Sequence, residues 1–170
     1  MASFFVSRVD AEADARLPGD SPLRGKVAVA NAHRAYGRYL ARFSGQRWDA
    51  LHRQGATPQR PLWASTGTKN PHYSDVLYVE ELIASGVINT MPEQTLRAFA
   101  DHGTVKPALD TTITTAQRTL AEVADAGLDL TAITAALERA GVNAFCDSYH
   151  QLLDCIESKL AALPRLAAAG

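Results

Sequence analysis

Residues 60–71 carry a group of side chains that could bind an anion. The segment reads RPLWASTGTKNP, and its apolar run from Leu62 to Ala64 is followed by three hydroxyls, a glycine and Lys69. Parallel sheets place anion-binding groups beyond the carboxyl ends of their strands. The segment therefore predicts a buried strand, covered on both faces, that leads into an anion-binding loop. A polar turn with a solvated lysine also fits these residues, since short motifs are loose evidence.

Two further strands are predicted to end in polar residues. Residues 2–10 alternate like a strand, and Arg8 lies near the carboxyl end. The mixed face of this strand carries Ser3, Phe5 and Ser7, whereas Phe4 and Val6 form an apolar face. Residues 87–91 form the third strand, which carries Asn89 and Thr90 and stops before a proline. Polar chemistry is thus predicted at the carboxyl ends of all three strands.

Helices are predicted between and after these strands. Apolar residues that recur every three or four positions predict helices at 23–43, 46–54, 73–84, 92–103, 111–126, 130–140 and 142–163. Gly141 is expected to separate the last two helices, and the core side of the last one is predicted to be Phe145, Leu152, Leu153, Ile156 and Leu160. Residues 10–22 are predicted to form a loop. Alternating strands and helices predict a parallel sheet, and residues 1–170 are expected to form a single domain.

The charge and the spacing of reactive residues disfavour several function classes. Seventeen basic and eighteen acidic side chains leave a net charge of -1, which argues against a dedicated nucleic-acid or membrane-surface protein. The histidines and cysteines show no HxxxH or CxxC spacing, so no metal site is predicted. Cys146 and Cys155 fall on opposite faces of a predicted helix and are expected to be reduced thiols. No signal peptide and no apolar run of about 18 residues is visible.

Four long segments match one known family in their residues and their order. They are SFFVSR, RPLWASTGTKNP, DVLYVEELIASGVINTMPEQTLRAFADHG and AGVNAFCDSYHQLLDCIESKL. Together they resemble transaldolase, particularly its actinobacterial type, over essentially the whole chain. The resemblance implies an α/β fold, namely the C-terminal part of a (β/α)8 TIM barrel with about three parallel strands plus helices. It also implies a transferase of the pentose phosphate pathway that moves a dihydroxyacetone unit between sugar phosphates through a lysine Schiff base, without a cofactor.

The resemblance assigns roles to individual strands and residues. Residues 3–8, 61–66 and 87–91 match the sixth, seventh and eighth strands of the family's barrel. The substrate and phosphate contacts implied are Ser3 and Phe5 on the active-site face, Arg8 and Ser65 at the phosphate, and Lys69 in place of a second phosphate-binding arginine. A lysine there keeps the charge but loses the bidentate fork of arginine.

The sequence departs from the family at the nucleophile. The family's Schiff-base lysine lies on the fourth strand and its acid/base carboxylates on the first and third, whereas this chain is expected to begin at the sixth. The four lysines, Lys26, Lys69, Lys106 and Lys159, fall outside the predicted strands. Asp10 is expected to be solvated in a loop. We therefore expect no catalytic residue in this chain, which would bind sugar phosphate but be inactive alone.

The resemblance also implies partners and a location. The substrates implied are fructose 6-phosphate, sedoheptulose 7-phosphate, erythrose 4-phosphate and glyceraldehyde 3-phosphate, in the cytoplasm and without nucleic-acid or membrane partners. One alternative is a non-catalytic half-barrel interaction module that pairs with itself or with the missing N-terminal half. The other alternative is a distinct sugar-phosphate enzyme that uses Lys69 as its nucleophile.

Overall fold

A three-stranded parallel sheet lies at the centre of the structure, a computed structural model that describes residues 1–105 and 113–162. The strands are β1 (Ala2–Phe5), β2 (Pro61–Ala64) and β3 (Ile88–Asn89). They lie in the order β1-β2-β3, and both neighbouring pairs are parallel. The register places Trp63 of β2 between Phe4 and Asn89. The predicted α/β class with parallel strands is therefore confirmed.

Helices follow the strands in chain order. They are α1 (Ser7–Asp14), α2 (Val27–Arg42), α3 (Gly45–Arg53), α4 (Leu77–Glu80), α5 (Glu93–His102), α6 (Ile113–Asp125) and α7 (Leu130–Ala162). The helices predicted at 23–43, 46–54 and 92–103 are confirmed to within a few residues. The helix predicted at 111–126 is confirmed from residue 113, since its first two residues lie outside the described part of the chain. The helix predicted at 73–84 contracts to the four residues of α4.

The start of the chain differs from the prediction. β1 ends at Phe5 and α1 begins at Ser7, so residues 7–10 are helical rather than extended, and the predicted loop at 10–22 begins as a helix. The apolar residues that support α1 recur at helical spacing and are buried: Val6, Val9, Ala13 and Leu17. Alanine and glutamate between these positions favour a helix. The strand prediction for residues 7–10 and the loop prediction for residues 10–14 were wrong, because this spacing of three and four residues outweighs the strand-like alternation before it.

The C-terminal segment is one helix rather than two. α7 continues through Gly141, so the predicted break there was wrong. A glycine costs a helix interior only about 1 kcal/mol, and alanine, leucine and glutamate before it favour the helix. The side chains predicted to face a core are exposed, with Phe145 81% and Leu160 62% accessible. The chain divides into two compact units, Met1–Ile133 and Thr134–Gly170, and the prediction of a single domain stays a prediction.

Two further properties of the described residues bear on the sequence predictions. Cys146 and Cys155 are free and exposed thiols, as predicted. Among the helices within residues 1–105 and 113–162, none combines the length and apolarity needed to cross a membrane.

Trp63 anchors the covered face of the sheet. Its side chain is fully buried, its indole Nε1 donates to the Leu82 carbonyl at 3.1 Å, and its ring meets Phe4 edge-on at 5.7 Å. The residues on either side of it in β2, Leu62 and Ala64, are only half-buried. The prediction that β2 is covered on both faces was therefore wrong for the described residues, which bury one face of the sheet.

Candidate functional site

The start of α1 is hydrogen-bonded to the residues that follow β2. The Val6 N–H donates to the Ala64 carbonyl at 3.0 Å, and the Ser7 N–H donates to the Ser65 carbonyl at 3.0 Å. The hydroxyl oxygens of Ser7 and Ser65 are 2.9 Å apart. The pairing of the first two strands thus continues past their ends. It places the first turn of α1 beside the polar loop after β2.

Thr66 ties the same loop to the end of β3. Its side chain is fully buried, and its hydroxyl, which has one proton to donate, lies 2.9 Å from the Asn89 Oδ1 and 2.9 Å from the Thr90 carbonyl oxygen. The Thr90 hydroxyl in turn donates to the Trp63 carbonyl at 3.0 Å. The three strand ends are therefore joined by side-chain hydroxyls. We refer to Ser7, Arg8, Ser65 and Thr66 as the strand-end site.

Ser65 has an unusual backbone conformation. Its φ is 57°. Among the described residues it is the only one other than glycine that has a positive φ. A serine in this left-handed region costs on the order of 1–2 kcal/mol, and such conformations cluster at functional sites. The two contacts with Ser7 hold the residue in place. The turn therefore aims the Ser65 carbonyl and hydroxyl at α1 at a local cost in energy.

Arg8 lies in the first turn of α1. The prediction that it lies in a strand was wrong. Arg8 is exposed, and its guanidinium carbon lies 5.1 Å from the centre of the Phe5 ring, a distance suited to a cation–π contact. Ser3 and Phe5 are exposed on the sheet face opposite Phe4 and Trp63. Arg8 nevertheless remains beyond the carboxyl end of β1, directly after the serine that contacts Ser65.

Lys69 is exposed and lines a neighbouring cleft of about 300 Å³. The cleft lining also includes Ser7, Asp10, Asp14, Tyr73 and Tyr78. Ser3, Phe5, Arg8 and Ser65 lie outside this lining. The structure thus brings Ser7 and Lys69 to one cleft. Ser65 contacts the Ser7 hydroxyl, and Arg8 follows Ser7 in the sequence.

Asp10 is buried, so the prediction that it is solvated in a loop was wrong. Only 2% of the residue is exposed. Its Oδ1 accepts the Ala28 N–H at 2.7 Å and its Oδ2 accepts the Tyr78 hydroxyl at 2.8 Å. Burial raises the pKa of Asp10 to about 6, because the loss of water outweighs these two hydrogen bonds. The carboxylate thereby joins α1 to the first turn of α2.

A second carboxylate on α1 makes a similar pair of contacts. The Asp14 Oδ1 accepts the Gly25 N–H at 3.1 Å, and its Oδ2 accepts the Tyr73 hydroxyl at 2.6 Å. Burial, with the hydrogen bond to Asp14, raises the pKa of Tyr73 to about 12. Gly25 has a φ of 70°, and a Cβ there would lie 2.8 Å from the Tyr73 ring. Glycine is therefore required where Tyr73 crosses the start of α2.

The contacts that Thr66, Asp10 and Asp14 make in this region were not predicted from the sequence. A signal for the carboxylates was present, because Ser7, Asp10 and Asp14 are spaced three and four residues apart, as on one face of a helix. The alternation of the residues before Ser7 resembles a strand and masks that spacing. The tie made by Thr66 depends on β3 lying beside β2, which the local sequence does not specify.

The arrangement suits anion binding better than nucleophilic catalysis. Arg8 and Lys69 are exposed cations in the two segments that carry the Ser7 and Ser65 hydroxyls, and an arginine can hold two oxygens of one phosphate. Lys26, Lys69 and Lys159 are all exposed, whereas a nucleophilic lysine is usually desolvated; Lys106 lies outside the described residues. The described part of the chain groups no three histidine, cysteine or acidic side chains around a metal position.

The fold and the strand-end site define an α/β protein that presents cations and hydroxyls beyond the carboxyl ends of parallel strands. Residues 1–156 match the family described as Transaldolase/Fructose-6-phosphate aldolase. The chain belongs to this family, as the sequence resemblance predicted. The three parallel strands and their helices are consistent with part of its (β/α)8 barrel.

Individual relatives carry the name transaldolase. One from Parafrankia sp. (strain EAN1pec) is 51% identical over 168 residues, which are 95% of this chain and 46% of that protein. One from Frankia alni is 51% identical over 170 residues, covering 94% of this chain and 45% of that protein. One from Thiobacillus denitrificans is 50% identical over 158 residues, covering 90% of this chain and 44% of that protein. The chain thus spans about half the length of the curated relatives it matches.

We predict that Thr66→Val lowers the free energy of unfolding by about 1–1.5 kcal/mol, because the fully buried Thr66 hydroxyl no longer bonds to Asn89 and Thr90. Thr68→Val is the matched control, since its hydroxyl donates to the Ser74 carbonyl at 2.8 Å in an exposed position. The control should cost less than about 1 kcal/mol. Urea unfolding followed by circular dichroism measures both values. Equal losses in the two variants would show that Thr66 does not tie the strand ends together.

We predict that Asp10→Asn changes how stability depends on pH. The folded-state pKa, about 6, lies above the ordinary value of 3.8. Between these values the folded state binds the proton more tightly, so ionisation of Asp10 destabilises the fold as pH rises. Wild type should lose on the order of 2–3 kcal/mol relative to Asp10→Asn between about pH 4 and pH 6.

Chemical denaturation at several pH values measures this difference. Asp20→Asn is the control, because Asp20 is exposed and its substitution should leave no pH-dependent difference. A constant difference between wild type and Asp10→Asn across this range would contradict the raised pKa.

Proposed function

We propose that this chain supplies the phosphate-binding part of a transaldolase, which transfers a dihydroxyacetone unit between sugar phosphates. The single observation that carries the proposal is the junction of α1 with the loop after β2. There the Ser7 and Ser65 hydroxyls are 2.9 Å apart, and Arg8 follows Ser7 directly. The family membership of residues 1–156 supports the same assignment.

The proposed roles follow from charge and exposure. Arg8 presents its guanidinium to the substrate phosphate, and the Ser65 hydroxyl donates a further hydrogen bond. Lys69 adds a second positive charge from the neighbouring cleft. Ser3 and Phe5 lie on the open face of the sheet, where they would border the sugar. Hydrogen bonds to a charged phosphate are about twice as strong as neutral ones, so the phosphate would dominate recognition.

The proposed substrates are those of the transaldolase reaction. Fructose 6-phosphate and sedoheptulose 7-phosphate would donate the three-carbon unit, and erythrose 4-phosphate and glyceraldehyde 3-phosphate would accept it. All four carry the phosphate that Arg8 would bind. The proposed location is the cytoplasm, where such metabolites occur.

The chemical step itself would depend on a residue outside this chain. Cleavage of the carbon–carbon bond needs an amine that forms a Schiff base and a carboxyl group that moves protons. Lys26, Lys69 and Lys159 are exposed, and a lysine paired with phosphate would stay protonated. We therefore propose that the chain alone binds substrate without turning it over.

A second candidate function is association through α7. Its exposed apolar side chains are Val142, Phe145, Tyr149, Leu152, Leu153, Ile156 and Leu160. At about 100° per residue they fall within roughly 120° of the helix circumference, and a stripe of this width usually packs on other protein surface. The stripe would pair with a second copy of the chain or with the remaining half of a transaldolase barrel.

We predict that Arg8→Ala weakens binding of fructose 6-phosphate by roughly ten- to a hundred-fold, because one charged hydrogen-bonding group is lost. Unphosphorylated fructose should bind equally to both proteins. Arg16→Ala is the matched control, since this exposed arginine pairs with Glu12 at 3.0 Å. Isothermal titration calorimetry measures the affinity of wild type, Arg8→Ala and Arg16→Ala for each sugar. An equal loss for both sugars would show that Arg8 is structural and would count against the proposed function.

We predict that the purified chain traps no substrate covalently. Incubation with fructose 6-phosphate and borohydride, followed by intact-mass measurement, should show the unmodified mass, because no described lysine is desolvated. The full-length transaldolase of Frankia alni serves as the positive control for the trapping conditions. A stable adduct on this chain would overturn the assignment, and Lys69→Ala would then test whether that lysine is the nucleophile.

A further inference from the structure

α1 buries a polar face as well as an apolar one. Ser7, Asp10 and Asp14 are 2%, 2% and 8% exposed, respectively, and their spacing places them on one side of the helix. A buried carboxylate is costly unless its oxygens are hydrogen-bonded. Among the described residues, no buried side-chain nitrogen or oxygen lacks a partner. The polar face of α1 is therefore held in place by specific partners.

The Asp10 carboxylate uses both oxygens to fix α1. One oxygen accepts the Ala28 N–H at the start of α2, and the other accepts the hydroxyl of Tyr78 on α4. Tyr78 is itself only 2% exposed, so neither partner can be replaced easily by water. These two contacts come from different elements. They therefore limit both rotation and sliding of α1.

The position of α1 matters at the strand-end site. Ser7 lies three residues before Asp10, which is about 4.5 Å along the helix, and its hydroxyl contacts Ser65. Arg8 lies between them in the sequence. A small helix moves as one body, so a change at Asp10 is transmitted to Ser7 and Arg8. A displacement of about 1 Å can cost an enzyme site as much as a hundred-fold.

We propose that Asp10 and Tyr78 form a positioning pair that holds Ser7 and Arg8 in the orientation that binds phosphate. The inference rests on the proposed function, because it names what aims Arg8 at the substrate. Neither residue touches the phosphate. Their role is to set the orientation of α1, the helix that carries the phosphate-binding residue Arg8.

Asp14 and Tyr73 form a similar pair at the other end of α1 and provide a matched comparison. Asp14 lies seven residues after Ser7, or about 10.5 Å along the helix. Tyr73 is half-buried, whereas Tyr78 is buried. Tyr78 and Asp14 act electrostatically on Asp10, and Tyr73, Arg24 and Lys69 line the same cleft. Tyr73→Phe removes a hydroxyl from the same cleft, and that hydroxyl pairs with the carboxylate that lies farther along α1 from Arg8.

The test measures fructose 6-phosphate binding to the full 170-residue chain. Tyr78→Phe should weaken binding about ten-fold, whereas Tyr73→Phe should weaken it less than three-fold, as expected for a displacement transmitted mainly from Asp10. Asp10→Ala should resemble Tyr78→Phe. Asp10→Asn should restore most of the affinity, because its amide can pair with the Tyr78 oxygen while its carbonyl accepts the Ala28 N–H. Equal effects of Tyr78→Phe and Tyr73→Phe would overturn the proposal.

A double-mutant cycle separates positioning from a general loss of stability. In the Arg8→Ala background, Tyr78→Phe should change binding less than two-fold, because the residue that it positions is absent. A ten-fold loss that persists in that background would overturn the proposal. If Asp10→Ala fails to fold, Tyr78→Phe still tests the pair, since it removes one hydroxyl and keeps the ring.

A ligand-free measurement keeps this inference separate from the proposed function. If the wild-type chain binds no fructose 6-phosphate, the proposed function fails. The pair is then tested by amide chemical shifts in nuclear magnetic resonance spectra. Tyr78→Phe should shift the resonances of Ser7, Arg8 and Ser65, and Tyr73→Phe should shift them less. Shifts confined to the neighbours of Tyr78 would overturn the positioning role.

Discussion

The candidate site depends on backbone pairing that continues beyond the ends of β1 and β2. The N–H groups of Val6 and Ser7 donate to the carbonyls of Ala64 and Ser65, although the chain at Ser7 has already entered a helix. This pairing leaves Ser65 in a left-handed conformation and sets its hydroxyl against that of Ser7. Because Arg8 follows Ser7 in the chain, the same hydrogen bonds fix where its backbone enters α1.

Buried polar groups impose the second constraint on this region. Asp10, Asp14 and Thr66 are each removed from water, and each is matched by donors or acceptors from another element. Unmatched, such groups would cost about 1–3 kcal/mol or more each. The need to satisfy them fixes how α1, α2 and the strand ends meet. The candidate site, with its exposed Arg8, is thus supported by buried acceptors and hydroxyls.

The parallel α/β class, most helices and the family could be predicted from the sequence. The positions of β2 and β3 followed from short apolar runs that end at polar residues, and the family from long matching segments. α1 was missed because the residues that lead into it, SFFVSR, alternate like a strand, and the helical spacing begins only at Val6. The burial of Asp10 could not be predicted, since its partners Ala28 and Tyr78 are 18 and 68 residues away in sequence. The exposure of the apolar stripe on α7 could not be predicted either, because the spacing of apolar residues shows that they share a helix face but not whether another surface covers it.

The central claim is that Arg8 and Ser65 bind the phosphate of a sugar phosphate. Titration of the isotope-labelled chain with fructose 6-phosphate, followed by amide chemical shifts, tests it most directly. The account predicts saturable shifts that are largest at Ser7, Arg8 and Ser65 and that fructose does not reproduce. Saturable shifts confined to other parts of the chain, or the same shifts with fructose, would contradict it.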